Sequence, residues 1–141
     1  MLKVTCAIII RQNKILVTQR NENSDHPYQW EFPGGKIKQN ETEADCIARE
    51  INEELGIEIR ILDLMIHVQH DYGFRKIELI PFICEIQSGS IKLTEHIDFK
   101  WISIENLEQI DLSDADRKLI QKDGNRLILK KYLGENKNDS G

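Results

Sequence analysis

The stretch GKIKQNETEADCIAREINEELGI, residues 35–57, decides the fold. Its periodicity predicts an amphipathic helix over residues 43–55, with Asn40 and Glu43 as a capping box and Gly56 as the residue that ends the helix. On a helical wheel with ~100° per residue, one arc of the helix is apolar and is predicted to face the core. The residues of this arc are Ala44, Ile47, Ala48, Ile51 and Leu55.

A neighbouring arc of the same helix carries the acidic cluster, which consists of Glu50, Glu53 and Glu54. The spacing of three and four positions makes these side chains neighbours on the helix surface, where like charges repel. Acids in the last turn also oppose the helix dipole, by roughly 0.3–1 kcal/mol each. Arg49 and Lys36 provide too few positive charges to balance them. The cluster is therefore either a solvated face or the site of a hard divalent cation, Mg²⁺ or Mn²⁺.

The loop before the helix favours the cation. Pro33, Gly34 and Gly35 allow the backbone to approach a bound group closely, and a carbonyl of this loop would be a further oxygen ligand. Lys36 would meet a phosphate as a point charge. Taken alone, the Pro-Gly-Gly sequence predicts only a tight turn. Together with the acidic cluster, it indicates a site for a metal ion and a diphosphate.

Residues 35–57 resemble the Nudix box, in which glycine, glutamate, Arg-Glu and Glu-Glu pairs, a second glycine and two aliphatic residues recur at fixed spacing. Every fixed position is satisfied, by Gly35, Glu41, Arg49, Glu50, Ile51, Glu53, Glu54, Gly56 and Ile57. The segments ILVTQR, WEFPGGKI and FKWISIENL are similar to the MutT branch of the family. The whole similarity covers roughly residues 2–130.

The resemblance implies an α+β protein with the Nudix fold, an α/β/α sandwich around a mixed β-sheet. It implies one domain over residues 1–133, followed by a disordered polar tail over residues 134–141. It also implies Mg²⁺-dependent attack of water on a nucleoside triphosphate, which releases a nucleoside monophosphate and pyrophosphate. The expected role is sanitation of the nucleotide pool, and thereby DNA repair, as in 8-oxo-dGTP diphosphatases.

The family's roles transfer to positions that match its motif. The metal ligands would be the Gly35 carbonyl, Glu50, Glu53, Glu54 and, six residues before Trp101, Glu95. The general base would be Glu54, Glu50 or Glu95, and Arg49 would orient the catalytic glutamate. Gly34, Glu41 and Gly56 would have structural roles in the box.

Substrate contacts are implied in the same way. Arg20 and Lys36 would contact phosphates. The base would lie among side chains from the first strand, the WEFPGG segment and a later strand, namely Val4, Cys6, Phe32, Arg75, Ile77 and Leu79. The apolar members of this set are equally compatible with an ordinary core, and Arg75 with a solvated position.

The preferred base stays open because this chain departs from the bacterial 8-oxo-dGTP enzyme, which has asparagine where Asp116 lies here. An ionised aspartate only accepts hydrogen bonds, from the cytosine amine or from guanine N1–H and N2–H, and donates to guanine O6 only when protonated. Asp114 is close enough to take the same place, or to cap a helix near Ser113. The alternatives are a CTP or 5-methyl-dCTP pyrophosphohydrolase and, more remotely, a nucleotide-sensing module without catalysis.

The composition and net charge limit which binding partners are expected. The chain has 141 residues and a net charge of −5 without a basic stripe, so a small-molecule nucleoside triphosphate is expected and a nucleic-acid polymer is not. No apolar run reaches membrane-span length, so no membrane partner is expected. The three cysteines, Cys6, Cys46 and Cys84, show no paired spacing, which predicts core positions and a cytoplasmic location. The oligomeric state, monomer or homodimer, stays open.

The remaining elements follow from local patterns. Strands are predicted over residues 2–10, 15–20, 57–71, 75–86 and 99–103, the first two antiparallel. Helical patterns cover residues 104–110 and 113–132, the second with a break at Gly124. The four histidines show no metal-ligand spacing and are expected to be surface or strand residues.

Overall fold

The computed structural model describes residues 1–134. The strands are β1 (Leu2–Arg11), β2 (Lys14–Gln19), β3 (Trp30–Glu31), β4 (Gly34–Lys36), β5 (Glu58–Leu64), β6 (Val68–Asp71), β7 (Lys76–Ser88) and β8 (Asp98–Ile102). The helices are α1 (Glu43–Leu55), α2 (Asp114–Gln121) and α3 (Asp123–Tyr132), with a 3₁₀ helix over Ile104–Gln109.

The strands form one mixed sheet. Its main path runs β3-β2-β1-β7-β5, while β4 pairs with β1, β6 with β7 and β8 with β2. The pairing of β1 with β7 is parallel, and the other strand pairs are antiparallel. The turn from β1 to β2 passes through Gln12 and Asn13, which have φ of 52° and 65°, so the predicted antiparallel hairpin is confirmed.

Side-chain alternation along β1 feeds two separate cores, because successive residues of a strand point to opposite faces. Ala7 and Ile9 pack in the cluster that contains the apolar face of α1. Cys6 and Ile8 pack in the other cluster, together with apolar residues of α2 and α3. One helix therefore covers one face of the sheet and two helices cover the other, and the predicted α/β/α sandwich is confirmed.

The bounds predicted for α1 are confirmed, but two details are wrong. The N-cap is Thr42, whose Oγ1 accepts the Asp45 N–H at 3.0 Å, whereas Asn40 lies outside the helix with φ of 63°. Ala44 and Ala48 are exposed, and Cys46 is buried in their place. On the helical wheel Cys46 lies within the acidic arc, between Glu53 and Glu50, so the buried surface of α1 extends into that arc.

Three other boundaries differ from the prediction. The strand predicted over residues 57–71 is two strands, β5 and β6, which pair with successive parts of β7. The break between α2 and α3 falls at Lys122, while Gly124 lies inside α3. Gly34 and Gly35 form β4 against β1 and not a tight turn.

Asn125 ties α3 to the segment between β5 and β6. Its Oδ1 accepts the Ile66 N–H at 2.7 Å, and its Nδ2 donates to the carbonyls of Ile66 at 3.0 Å and Leu119 at 3.2 Å. Asn125→Ala is expected to lower the free energy of unfolding by about 2–4 kcal/mol, because it leaves buried backbone groups without partners. Urea unfolding measures this, with the exposed Asn106→Ala as control; equal stabilities of the two variants would contradict it.

The described chain ends with a contact to the β1–β2 turn, where the Gly134 N–H donates to Asn13 Oδ1 at 2.7 Å. The tail was predicted to begin at this residue; residues 135–141 lie outside the described residues. Within residues 1–134, the model contains no helix with the length and hydropathy needed to cross a membrane.

Candidate active site

Arg49 is the centre of the charges on α1. Its Nε donates to Glu41 Oε2 at 2.6 Å, and its Nη2 to Glu41 Oε1 at 3.0 Å. Its Nη1 lies 3.1 Å from both Glu50 Oε2 and Glu53 Oε1. One arginine therefore contacts two members of the acidic cluster, and Arg49 balances more of its charge than the sequence predicted.

Glu41 joins the loop to the helix, as the structural role predicted for it requires. Its Oε1 also accepts the Lys38 N–H at 2.9 Å. The hydrogen bonds from Arg49, with a smaller contribution from that backbone amide, lower the pKa of Glu41 to about 2. Its carboxylate is therefore ionised across the physiological range and keeps Arg49 in place.

Glu54 is the member of the cluster that Arg49 does not reach. Its Oε1 is buried, and no hydrogen-bond partner for it is found among residues 1–134. Burial, followed by the negative charges of Glu31 and Glu50, raises the pKa of Glu54 well above its ordinary value. A buried carboxylate oxygen without a donor costs free energy, and a cation beside it would remove that cost.

The end of α1 satisfies its carbonyls without any basic side chain. Gly56 has φ of 69°, and its N–H donates to the Asn52 carbonyl at 2.9 Å, which is the helix stop that the sequence predicted. Thr94 Oγ1 donates to the Glu54 carbonyl at 3.2 Å, and the Lys92 N–H to the Leu55 carbonyl at 2.8 Å. The segment before β8 thus closes the helix end that carries the cluster.

Close contacts, and not backbone conformation, require glycine at Gly34 and Gly35 of β4. Neither residue has a positive φ. A Cβ on Gly34 would overlap the backbone of Thr5 and Cys6 on β1. A Cβ on Gly35 would overlap the carboxylate of Glu50. The absence of a side chain at Gly35 therefore brings the loop backbone directly against the acidic cluster.

The donors gathered at this place fit a hard divalent cation. Glu50 and Glu54 lie beside the loop, and Oε1 of Glu54 has no hydrogen-bond donor within residues 1–134. Every candidate ligand atom is an oxygen, which a hard cation prefers. Within residues 1–134 no three His, Cys, Asp or Glu side chains are already grouped as metal ligands. Arg49 holds Glu50 and Glu53 in this conformation, so these two carboxylates must exchange the guanidinium for the cation on binding.

A cleft of about 280 Å³ opens beside the loop and runs across β1 and β7 toward α2. It brings together all the substrate-contacting residues that the sequence predicted. These are Val4, Cys6, Arg20, Phe32, Lys36, Arg75, Ile77, Leu79 and Asp116. Arg20 and Lys36 lie with Gly34 and Gly35 in its lining, and the apolar residues and Asp116 provide a site of different chemistry. The cleft therefore combines cationic and apolar surfaces, as a nucleotide requires.

Asp116, and not Asp114, faces the cleft. Asp114 is exposed, whereas Asp116 is buried in the first turn of α2 behind the N-cap Ser113. Asp116 Oδ2 accepts the Phe32 N–H at 2.9 Å. The pKa of Asp116 is raised to about 7, mainly by burial and in part by the negative charge of Glu31. The Phe32 N–H and Arg20 oppose this shift. Both its neutral and its ionised forms are therefore populated near neutral pH.

This shift predicts a pH dependence of stability. Because the pKa of Asp116 rises from 3.8 to about 7 on folding, the folded state binds more protons between these values. The contribution of Asp116 to stability should therefore fall as the pH rises from about 4 to 7 and stay constant above that. Asp116→Asn keeps an acceptor for Phe32 and removes the titration. The stability difference between wild type and this variant, from urea unfolding at pH 5 and 8, should change; a constant difference would contradict the assignment.

Glu95 directly follows Thr94, whose hydroxyl contacts the end of α1. The Glu95 side chain is exposed, and its main-chain carbonyl accepts Asn21 Nδ2 at 3.0 Å. Its role as a ligand or base stays a prediction.

Sequence reasoning missed Glu31 and His96. Glu31 Oε2 lies 2.8 Å from His96 Nε2, and its Oε1 lies 3.8 Å from Arg20 Nη1. Glu31 lines the cleft, and its charge contributes to the raised pKa values of Glu54 and Asp116. Its position directly before Phe32 in the WEFPGG segment was the available signal, although the contact with His96 spans 65 positions.

Tyr72 and Phe74 were also missed, because they lie between two predicted strands, over residues 57–71 and 75–86. Both line the cleft, with ring centroids 6.2 Å apart, and Phe74 is 67% exposed. The guanidinium of Arg75 lies 5.5 Å from the centre of the Phe74 ring. The predicted alternative of a solvated Arg75 is thus replaced by a half-buried position beside an aromatic ring.

Comparison with known proteins identifies the family. The NUDIX domain model matches residues 1–123, and the chain therefore belongs to the Nudix family. It is 36% identical over 121 residues to the CTP pyrophosphohydrolase of Escherichia coli strain K12, covering 86% of this chain and 90% of that protein. It is 32% identical over 117 residues to the 8-oxo-dGTP diphosphatase of Buchnera aphidicola subsp. Schizaphis graminum, covering 83% and 88%.

A solved structure agrees with these relatives. The crystal structure of the MutT protein from Methanosarcina mazei Go1 superimposes with a TM-score of 0.77 and 28% identity, covering 85% of this chain and 90% of that one. The similarity to MutT proteins that the motif indicated is thereby confirmed, and so is the Nudix fold.

Proposed function

We propose that the chain is a divalent-metal-dependent nucleoside triphosphate pyrophosphohydrolase that releases a nucleoside monophosphate and pyrophosphate. The proposed substrate is 8-oxo-dGTP or a related altered purine triphosphate, which would make the enzyme a sanitiser of the nucleotide pool. One observation supports this most: a cleft with a buried Asp116 and apolar walls adjoins the glycine loop that touches the acidic cluster. That arrangement suits a base at one end and a polyphosphate at the other.

The residues of the chain divide the work of the reaction. A Mg²⁺ or Mn²⁺ ion held by the Gly35 carbonyl, Glu50, Glu53 and Glu54 would neutralise phosphate charge and lower the pKa of a bound water. Arg20 and Lys36, both in the cleft lining, would bind the phosphates as fixed positive charges. A carboxylate must also accept the proton of the attacking water.

Glu54 is the proposed base. Its Oε1 is buried and has no hydrogen-bond partner within residues 1–134, so this oxygen is free to accept the proton of the water. Glu50 is bonded to Arg49 and the side chain of Glu95 is exposed to solvent, so neither is placed as well for this task. Arg49 has the proposed positioning role, since it contacts Glu41, Glu50 and Glu53.

The ionisation state of Asp116 bears on the choice between cytosine and guanine substrates. As an ionised acceptor it would suit the cytosine amine of CTP or 5-methyl-dCTP, or guanine N1–H and N2–H, and only as a neutral acid would it also donate to guanine O6. The relative at 36% identity is named a CTP pyrophosphohydrolase, which supports the first possibility. Because the pKa of Asp116 is about 7, the preference for guanine over cytosine substrates should fall as the pH rises from 6 to 8.5.

The substrate panel tests the proposal. Rates with 8-oxo-dGTP, dGTP, CTP and 5-methyl-dCTP are compared at saturating Mg²⁺, and the products are identified. The expected result is pyrophosphate with kcat/KM highest for 8-oxo-dGTP. A maximum for CTP or 5-methyl-dCTP would select the alternative, while nucleotide binding without hydrolysis would indicate a sensing module. Hydrolysis in ¹⁸O-labelled water identifies the phosphorus attacked, and label in the pyrophosphate product would indicate attack on the β-phosphorus.

A cytoplasmic location is proposed as well. The three cysteines are free and buried, and a pool of nucleoside triphosphates is found in the reducing compartment where free cysteines are usual. The net charge of −5 argues against a nucleic-acid polymer as partner.

A further inference from the structure

Two small polar side chains, those of Thr5 and Cys46, lie beneath the backbone of Gly35 and Lys36. Thr5 belongs to β1 and is in register with Gly35, and Cys46 belongs to the first half of α1. Both are fully buried. Thr5 Oγ1 lies 3.2 Å from the Gly35 carbonyl oxygen and 3.2 Å from Cys46 Sγ. Strand and helix are thus joined at the point where the loop backbone meets the acidic cluster.

The thiol extends this contact to the next peptide group. Cys46 Sγ lies 3.4 Å from the Lys36 carbonyl oxygen and 3.7 Å from that of Gly35. At these distances the thiol is the donor, because a carbonyl oxygen can only accept. The Lys36 carbonyl also accepts from Arg49 Nη2 at 3.3 Å. Two consecutive carbonyls of the loop therefore have donors from inside the fold.

The Gly35 carbonyl has two donors from β1. The register of Gly35 with Thr5 makes it the acceptor of the Thr5 backbone N–H in the antiparallel ladder, and the Thr5 hydroxyl supplies a second hydrogen bond. The single thiol proton of Cys46 can then go to the Lys36 carbonyl. These bonds fix the planes of the Gly35 and Lys36 peptides against β1 and α1.

Ordinary packing does not explain this choice of residues. Valine and alanine would fill similar volumes without burying polar atoms, whose burial costs free energy unless they are hydrogen-bonded. Thr18 is the other fully buried threonine, and its hydroxyl likewise donates to a backbone carbonyl, that of Glu31 at 3.2 Å. Thr5 and Cys46 differ from it in converging on the two peptide groups beside the acidic cluster.

We propose that Thr5 and Cys46 are positioning residues that orient the Gly35 and Lys36 carbonyls and thereby set how tightly the acidic cluster binds a divalent cation. The inference rests on the proposed function, in which the acidic cluster is a metal site. The effect of the two residues passes through the backbone of Gly35, which lies against the Glu50 carboxylate.

Mn²⁺ binding to the nucleotide-free protein, followed by electron paramagnetic resonance, tests the inference. Thr5→Val keeps the shape and removes the donor, and should weaken Mn²⁺ binding by about 3- to 10-fold, the value of about one net hydrogen bond. Thr5→Ser keeps the hydroxyl and should bind Mn²⁺ as wild type does, even if the lost methyl lowers its stability. Cys46→Ala should weaken binding, and Cys46→Ser should restore it in part.

Thr18→Val is the matched control, and its Mn²⁺ affinity should equal that of wild type. Urea unfolding of each variant separates folding from positioning. Wild-type affinity in Thr5→Val, or equal weakening in Thr5→Val and Thr5→Ser, would overturn the inference, as would a wild-type protein that takes up no Mn²⁺. Mn²⁺ binding without triphosphate hydrolysis would overturn the proposed function instead, and the Mn²⁺ affinities would still decide this inference.

Discussion

Glu54→Gln is expected to slow triphosphate hydrolysis by about 10²- to 10⁴-fold, the contribution typical of a positioned general base. The substitution keeps the shape of the side chain and one acceptor oxygen, but it removes the charge and the ability to take a proton. Pyrophosphate release at saturating Mg²⁺ and triphosphate measures the effect. Raising the Mg²⁺ concentration should not restore the rate if Glu54 acts as the base.

The stability of the Glu54→Gln variant should not fall with its activity. Glu54 is a buried acid repelled by Glu31 and Glu50, so its neutral replacement should leave the unfolding midpoint at or above that of wild type. Glu58→Gln is the control, since Glu58 is an exposed acid just beyond the same helix, bonded to Asn52. It should keep wild-type activity. A Glu54→Gln protein that is folded and fully active would exclude Glu54 as the base.

Gly35→Ala is expected to reduce activity by about 10- to 100-fold, the loss usual when groups that orient metal ligands are displaced. The new Cβ would occupy the space of the Glu50 carboxylate, which must then turn away from the loop. Because the obstacle is the end of a flexible side chain, the fold should be largely retained. Initial rates measured as a function of Mg²⁺ concentration should show a raised requirement for the metal.

Gly34→Ala provides the contrast. Its Cβ would meet the backbone of Thr5 and Cys6, which no rotamer change can relieve. The pairing of β4 with β1 must then open, and overpacking of this kind costs about 1–3 kcal/mol. The unfolding midpoint of Gly34→Ala should therefore fall well below that of Gly35→Ala. Gly35→Ala with wild-type activity and Mg²⁺ requirement would contradict the contact between Gly35 and Glu50.

The parts of the site that lie close together in sequence were predictable. The bounds of α1 and its stop at Gly56 follow from periodicity and from the left-handed conformation that glycine adopts easily. The interaction of Glu41 with Arg49 lies within the same loop–helix unit. The residues predicted to contact substrate, which came from the resemblance to the MutT branch over most of the chain, all line the cleft.

The rotation of α1 was not predictable from the helix alone. Hydrophobicity favours burial of Ala44 and Ala48, but the loop of β4 occupies the other side of the helix and covers Cys46 instead. The helix is therefore turned so that Glu50 and Glu54 pack against the loop. A helical wheel does not contain this information, since the packing partner is an irregular segment held by β1.

Contacts between distant segments were also out of reach. Glu31 and His96 meet because β2 pairs with both β3 and β8, which brings two strand ends together at the cleft. Neither residue shows a local pattern that separates it from other charged strand residues. The position of Asp116, as opposed to Asp114, likewise depended on how α2 begins behind Ser113.

A crystal structure with Mn²⁺ tests the central claim most directly, because anomalous scattering identifies the ion unambiguously. We predict an anomalous peak for a Mn²⁺ ion that is bound by carboxylate oxygens of Glu50 and Glu54 and by the Gly35 carbonyl. Arg49 should then no longer contact Glu50. A crystal that contains Mn²⁺ elsewhere while this place is empty, with Arg49 still bonded to Glu50 and Glu53, would contradict the claim.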